Sequence, residues 1–235
     1  MTAFEITPER ILTAIEMFPK HIQVQILIDR MTVYTGHGAI MTEGGEFKHI
    51  HMDNPEDVEE MLKIKFNVMR RAKTVGDVFW FINKPDRLQI FDILARTYVF
   101  RKEDYARILR NIWISTEFPG QTKNEELIRI FGSADQKYLM TEEDYKALSE
   151  MPEEITIYRG CQDKKAKVKG MSWTTAFEKA NWFATRWHKG SDAGKVYTAQ
   201  IKKSDVYMYC TERGEEEVVV NPNRLKGLKQ VKTNI

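Results

Sequence analysis

Three short motifs in the C-terminal third of the chain contain residues that could hold and act on an anionic ligand. They are Tyr158-Arg159-Gly160, Ser172-Trp173-Thr174 and Gly214-Glu215-Glu216-Glu217. The planar guanidinium group of an arginine pairs with two phosphate oxygens at once, and a serine hydroxyl can hold a carboxylate in place. The motifs therefore indicate an anion site with a positioned acid, and the alternatives are a surface ion pair, a strand with a core tryptophan and a solvated charge run.

The three successive glutamates directly precede Val218-Val219-Val220, which predicts a turn at the start of a buried strand. Side chains alternate in an extended chain, so we expect Glu215 and Glu217 to share one face, about 6–7 Å apart along the strand. Glu216 should face away. Tyr158-Arg159-Gly160 is expected to end an earlier strand, where the glycine backbone can approach a ligand closely.

Taken in order, the three motifs resemble the arginine–serine–glutamate class of mono-ADP-ribosyltransferases. This class includes clostridial toxins that modify actin and Rho, and small phage-encoded transferases such as anti-CRISPR ones. In that family an arginine ends the first core strand, an S-T-S-like strand follows, and an (E/Q)-x-E turn leads into an apolar strand. The resemblance covers about residues 155–222. Trp173 replaces the central threonine, and the short spacing between Arg159 and Ser172 is closest to the compact phage-type members.

The resemblance implies that NAD is consumed as a substrate and that no metal is needed. Cleavage of the nicotinamide–ribose bond builds positive charge on the ribose, which a carboxylate stabilises, as in glycoside hydrolysis. Glu217 would supply that carboxylate and bind the ribose 2′-hydroxyl, Ser172 would fix its rotamer, and Glu215 would contact the acceptor and take its proton. Arg159 would hold phosphate, and the backbone of Gly160 would hold the carboxamide.

The helix after the serine strand carries two further matches to the family. Phe183 lies where related enzymes place an aromatic ring near nicotinamide, and Arg186 lies where they place a second phosphate-binding arginine; ordinary helix packing is the alternative. The implied catalytic residues are Glu217, Glu215, Ser172 and Arg159, and the implied NAD-binding residues are Arg159, Gly160, Ser172, Trp173, Thr174, Phe183 and Arg186.

The acceptor of ADP-ribose is left open by these motifs. We expect a macromolecule, with a protein side chain preferred over DNA or RNA. Residues 151–235 hold 16 Lys and Arg against 10 Asp and Glu, a net charge of +6 that would suit a nucleic acid. An NAD glycohydrolase toxin or effector would need the same residues, with water as the acceptor. A catalytically inactive adaptor would not need all of them.

A metal site is not predicted. Cys161 and Cys210 lack the paired spacing of zinc ligands and are expected to be reduced thiols. His37, His49 and His51 lie in a β-rich stretch without a carboxylate or thiol to complete a ligand set, so we expect them to face solvent.

The two parts of the chain differ in their predicted secondary structure. Residues 1–150 read as mainly helical, apart from a β-rich stretch at 32–52, with predicted helices over 7–18, 54–72, 85–97, 102–114, 123–131 and 141–149. For residues 151–235 the pattern predicts one helix over 176–188. It also predicts short strands at 155–158, 171–174, 195–201, 206–210, 216–220 and 225–231. We predict an α+β fold, in which the helical region packs with a small mixed or antiparallel core of ADP-ribosyltransferase type at 151–235.

Composition sets outer limits on the interpretation. Apolar residues make up 42% of the 235-residue chain and charged residues 30%, which is ordinary for a globular protein. No apolar run approaches the roughly 20 residues that span a bilayer, and the acidic start is not that of a signal peptide. We expect a cytoplasmic protein, in the host cytoplasm if it is phage-encoded, without a membrane partner. The oligomeric state is left open.

Overall fold

The computed structural model describes residues 6–42, 44–116, 122–161, 168–186 and 194–231. Contacts within the chain divide it into two compact units, Met1–Thr122 and Lys123–Ile235. The sequence analysis places its division at residue 150 instead. In the structure, the helices between residues 123 and 150 belong to the unit that contains the large sheet.

The described part of the first unit is built mainly of helices. They are α1 Pro8–Glu16, α2 Lys20–Leu27, α3 Arg30–Thr35, α4 Pro55–Met69, α5 Val75–Trp80, α6 Arg87–Thr97 and α7 Lys102–Ser115. Their apolar faces form the core, in which Ile11, Ile15, Leu62, Met69, Phe79 and Phe91 are almost completely buried.

The predicted helix starts are confirmed where a side chain caps the first turn. The Thr7 hydroxyl accepts a hydrogen bond from the Arg10 N–H (3.3 Å), and the Asn54 side chain accepts one from the Glu56 N–H (3.0 Å). A proline occupies the first turn of both helices. The sequence analysis misses α2, α3 and α5, which are too short to show a clear apolar period, although the capping box of Thr74 and Asp77 marks the start of α5.

A β-hairpin lies between α3 and α4. Strand β1 spans His37–Met41 and β2 spans Phe47–His51, paired antiparallel with His37 opposite His51. The two strands confirm the predicted β-rich stretch, but the prediction is wrong for residues 32–35, which belong to α3. Asp29 caps that helix, and Gly36 ends it in the left-handed conformation (φ 75°).

The second unit combines four described α-helices with a six-stranded sheet. The helices are α8 Asn124–Gly132, α9 Gln136–Leu139, α10 Glu142–Glu150 and α11 Phe177–Thr185. The strands are β3 Glu154–Cys161, β4 Ser172–Thr174, β5 Lys195–Lys202, β6 Val206–Cys210, β7 Glu217–Val220 and β8 Lys226–Gln230.

Strands in the sheet follow the order β6-β7-β4-β3-β5-β8, and every neighbouring pair is antiparallel. The predicted α+β class with an antiparallel sheet is therefore confirmed, as is each of the six predicted strands. The predicted helix over 176–188 corresponds to α11, with residues 187–188 outside the described residues. Short runs of strand-forming residues separated by turns gave a clear signal, and five of the six strands bury side chains, whereas β8 is mostly exposed.

Helix α11 packs closely on β3. Ala180 and Ala184 are buried, and a Cβ atom on Gly160 would lie 1.8 Å from the Ala180 carbonyl oxygen and 2.7 Å from the Ala184 nitrogen. A glycine is therefore needed at position 160 for the helix to approach the strand. The Tyr158 and Phe177 rings meet edge to face beside this contact, with centroids 5.6 Å apart.

We predict that Gly160→Ala lowers the free energy of unfolding by about 1–3 kcal/mol, because the added methyl group forces α11 away from β3. Urea denaturation measures the change. Gly132→Ala is the matched control, since a Cβ atom there meets no atom within 4 Å and lies at the end of α8, where alanine is favourable. Equal effects of the two substitutions would contradict the close-packing explanation.

Candidate functional site

Ser172 and Glu217 are joined across two neighbouring strands. In the β4–β7 ladder Ser172 lies opposite Val219 and Thr174 lies opposite Glu217, so Ser172 and Glu217 are diagonal neighbours on one face. The Ser172 hydroxyl donates a hydrogen bond to Glu217 Oε1 over 2.5 Å. Both residues are partly buried. The contact fixes the orientation of the carboxylate, which is the role that the resemblance assigns to Ser172.

Arg159, on β3, contacts the main chain of Ser172. Its Nη1 donates to the Ser172 carbonyl oxygen, and Gly170 leaves room for the guanidinium group, because a Cβ atom there would lie 2.4 Å from Arg159 Nη2. Burial lowers the pKa of Arg159, while the neighbouring Cys161 and the Glu217 carboxylate raise it. A guanidinium group remains a cation at physiological pH even when it is buried. Three adjacent strands thus bring Arg159, Ser172 and Glu217 together.

Trp173 and Thr174 lie in the interior of the unit. Trp173 is 2% exposed and its indole N–H donates to the Gly170 carbonyl oxygen (2.8 Å). The Thr174 hydroxyl donates to the Glu215 carbonyl oxygen (2.8 Å) and accepts from the Ala176 N–H (3.1 Å). These contacts support the strand and the turn, and the polar atoms of both side chains are bonded to the protein.

The turn before β7 differs from the extended chain that the sequence predicts. Glu212–Gly214 form a 3-10 helix, Glu215 adopts helical backbone angles, and the strand begins only at Glu217. Strand alternation therefore does not place Glu215 and Glu217 on one face, and that prediction is wrong in its premise. Alternation needs an extended backbone, and the left-handed Gly214 (φ 62°) and Glu216 (φ 45°) interrupt it.

Glu216 carries the strain of this turn. A positive φ is rare for a residue with a side chain and costs about 1–3 kcal/mol unless its surroundings impose it. Here Thr175 holds Glu216 in this conformation through two hydrogen bonds. Its N–H donates to the Glu216 carbonyl oxygen (3.2 Å), and its hydroxyl donates to Glu216 Oε2 (2.5 Å). The residues that follow β4 therefore hold the glutamate turn in place, in agreement with the tendency of such strain to occur at functional sites.

Helix α11 and the residue after its C-terminus present aromatic and basic side chains. Arg186 lies over the Phe183 ring, with the guanidinium carbon 4.8 Å from the centroid, and 5.2 Å from the centroid of Trp182. Phe183 and Arg186 are the two residues that the resemblance selects on this segment. Trp182, which is 52% exposed, and Lys179, 5.9 Å from its ring, were not predicted; an exposed tryptophan between two basic residues is the signal that could have found them.

The helical segment α9–α10 holds the outer edge of β6, the strand that leads into the turn. Three of its side chains bond to backbone groups of the strand and its end: the Gln136 amide to the Val206 carbonyl oxygen (2.7 Å), the Met140 sulfur to the Tyr209 N–H (3.3 Å), and Asp144 to the Thr211 N–H (3.0 Å). Asp144 is 2% exposed and also accepts from the Thr211 hydroxyl over 2.7 Å. A buried carboxylate thus fixes the first residue of the turn, a role that sequence patterns did not reveal.

Metal sites with three or more protein ligands and membrane-spanning helices are not seen in the part of the chain that the structure describes. No group of three or more histidine, cysteine, aspartate and glutamate side chains there could hold a metal ion, and Cys161 and Cys210 are free and buried. Within the same ranges, no helix has the length and apolar character needed to cross a bilayer. Comparison of the chain with protein-family models, curated proteins and solved structures found no match.

We predict that Asp144→Ala lowers the free energy of unfolding by about 1–3 kcal/mol, because it removes both hydrogen bonds that Thr211 donates to this buried carboxylate. Urea denaturation is again the measurement. Glu143→Ala, at the exposed neighbouring position on α10, should change the free energy by no more than about 0.5 kcal/mol. A similar loss in both variants would show that Asp144 acts through the helix and not through Thr211.

Proposed function

We propose that this protein cleaves NAD at the nicotinamide–ribose bond and transfers ADP-ribose to a macromolecular acceptor, preferably a protein side chain. The observation that carries the proposal is the hydrogen bond between the Ser172 hydroxyl and Glu217 Oε1. A serine that orients a glutamate, beside an arginine on the next strand, is the arrangement that the resemblance to arginine–serine–glutamate transferases requires.

Glu217 would act on the ribose. As the bond from the anomeric carbon to nicotinamide breaks, its electron pair leaves with nicotinamide and positive charge develops on the ribose ring. A fixed carboxylate stabilises that charge better than a mobile one, because it needs no reorganisation during the reaction. Ser172 provides the fixation through Oε1.

Arg159 would hold the pyrophosphate. Its contact with the Ser172 carbonyl oxygen and the space left by Gly170 define the position of the guanidinium group before any ligand binds. A partly buried arginine has less water to lose when it pairs with phosphate, so the pairing is stronger than at an exposed site. Gly160 has a demonstrated packing role in the α11 contact, and its proposed carboxamide contact would use backbone atoms only.

A protein acceptor is favoured by the charge of the unit that contains the site. Residues 123–235 hold 20 Lys and Arg against 17 Asp and Glu, a net charge of +3, because the acidic helices α8 and α10 belong to this unit. The net positive charge of residues 151–235 is therefore partly offset by the acidic residues of 123–150. Non-specific binding to nucleic acid depends on such an excess.

Transfer to a nucleic-acid base is the second candidate. The exposed Trp182, with Lys179 and Arg186 within 6 Å of its ring, favours it, because an aromatic ring beside cations can stack a base and hold a phosphate. Biotin-labelled NAD incubated with cell lysate separates the candidates: label removed by protease indicates a protein acceptor, and label removed by nuclease a nucleic acid. Rapid loss of NAD without any label would identify a glycohydrolase.

We expect Glu217→Gln to lower the rate of nicotinamide release by about 10²–10³-fold, because it removes the stabilising charge at nearly constant shape. Chromatography of nicotinamide formed from NAD is the measurement. Glu216→Gln is the matched control: this neighbouring side chain is exposed and a glutamine keeps an oxygen that can accept from Thr175, so the rate should stay within about threefold of the wild type. A Glu217→Gln variant that is folded and releases nicotinamide at the wild-type rate would refute the proposal.

Glu215→Gln should reduce ADP-ribose transfer more than it reduces NAD hydrolysis, because the proposed role of this carboxylate is to contact the acceptor and take its proton. Parallel assays of label transfer and nicotinamide release give the ratio. Equal losses in the two assays would assign Glu215 to the turn alone, where its carbonyl oxygen accepts from Thr174.

A further inference from the structure

The hairpin of the first unit has one face that the core does not use. Side chains of β1 and β2 alternate between a face with the buried Ile40 and Ile50 and an exposed face. The exposed face carries His37, Ala39, Met41, Phe47, His49 and His51. Two of its three histidines, His37 and His51, are direct cross-strand partners, whereas His49 lies opposite Ala39.

The ladder places His37 and His51 where side chains are closest. The Met52 N–H donates to the Gly36 carbonyl oxygen (2.8 Å), and the Thr42 N–H donates to the Glu46 carbonyl oxygen (2.8 Å). Hydrogen-bonded and non-bonded pairs alternate along an antiparallel ladder, so the pair next to Gly36 and Met52 is a non-hydrogen-bonded one. Opposite Cα atoms are only about 4.5 Å apart at such pairs, compared with about 5.5 Å at the bonded ones.

The two imidazole rings approach each other most closely through their Nδ1 atoms. His37 Nδ1 and His51 Nδ1 are 3.2 Å apart, with the rings edge to face at 87° and their centroids 5.0 Å apart. Two nitrogens that each lie about 2.0–2.1 Å from one tetrahedral metal ion are about 3.3–3.4 Å apart. The observed separation therefore suits two ligands of a single ion.

We propose that His37 and His51 form a two-histidine site for a divalent transition-metal ion such as Zn²⁺ or Cu²⁺, with water completing the coordination. Imidazole is a preferred ligand of these ions, whereas Mg²⁺ and Ca²⁺ prefer oxygen ligands. The site lies in the first unit and is separate from the proposed transferase residues, so neither proposal depends on the other.

Backbone contacts hold both histidines before a metal arrives. The His51 N–H donates to Asp57 Oδ2 (3.0 Å), and the Thr35 hydroxyl donates to the His37 carbonyl oxygen (3.0 Å). Lys48 Nζ also pairs with Asp57 Oδ1 (3.2 Å), which holds this carboxylate in place. A fixed ligand pair loses little conformational freedom on binding, which favours chelation.

The test is calorimetric titration of the tag-free, full-length protein with Zn²⁺ and, separately, with Cu²⁺. We expect one ion per chain at this site, with Cu²⁺ bound more tightly than Zn²⁺. His37→Ala and His51→Ala should each weaken Zn²⁺ binding by at least about tenfold, because one of two protein ligands is lost. Millimolar Mg²⁺ should not compete.

His49→Ala is the matched control, since His49 lies on the same exposed face but faces Ala39 across the ladder. It should leave the Zn²⁺ affinity within about twofold of the wild-type value, because a residue two positions along a strand is about 6–7 Å away. Equal weakening by His49→Ala, or unchanged binding in His37→Ala and His51→Ala, would overturn the assignment. Circular dichroism of His51→Gln without metal shows whether the variant has lost only the ligand or also the fold. Glu217→Gln should bind Zn²⁺ as the wild type does.

Discussion

The hydrogen bond between Ser172 and Glu217 depends on one structural constraint, the register of β4 against β7. With Thr174 opposite Glu217, the serine lies diagonally across from the carboxylate on the same face of the sheet. A slip of one residue would turn the serine to the other face, so the contact exists only in this register. The buried Trp173 and Val218, which are opposite each other in the ladder, make such a slip costly because it would remove both from the packing that they have in this register. The apolar core of the unit thus determines the geometry of its polar site.

The glutamate turn is held by residues outside the three motifs. Thr174 and Thr175 bond to it from the end of β4, and Asp144 bonds to its first residue from α10. The left-handed backbone of Glu216 is stable because these contacts surround it. Helix α10 is therefore part of the support of the site, which explains why contacts divide the chain before α8 and not after α10.

The sequence predicted the features that have a local cause. Side-chain caps marked the starts of α1 and α4, and short strand-like runs between turns marked all six strands of the sheet. It also selected Arg159, Ser172 and Glu217, which the sheet brings together through pairings of residues far apart in the chain. The predicted position of Glu215 failed because a 3-10 turn replaces the extended chain, and nothing in three successive glutamates distinguishes the two. The roles of Gly160 and Asp144 could not be predicted, because each depends on a tertiary contact with a distant segment.

The contacts of α9–α10 with β6 have a consequence beyond the placement of the turn. β6 is the outermost strand at its side of the sheet, and an edge strand with free N–H and carbonyl groups can pair with a strand from another molecule. Gln136, Met140 and Asp144 occupy backbone groups of that edge with side chains, which cannot propagate a ladder. The same segment that steadies the turn therefore also protects the β6 edge of the sheet against intermolecular strand addition and the aggregation that follows from it.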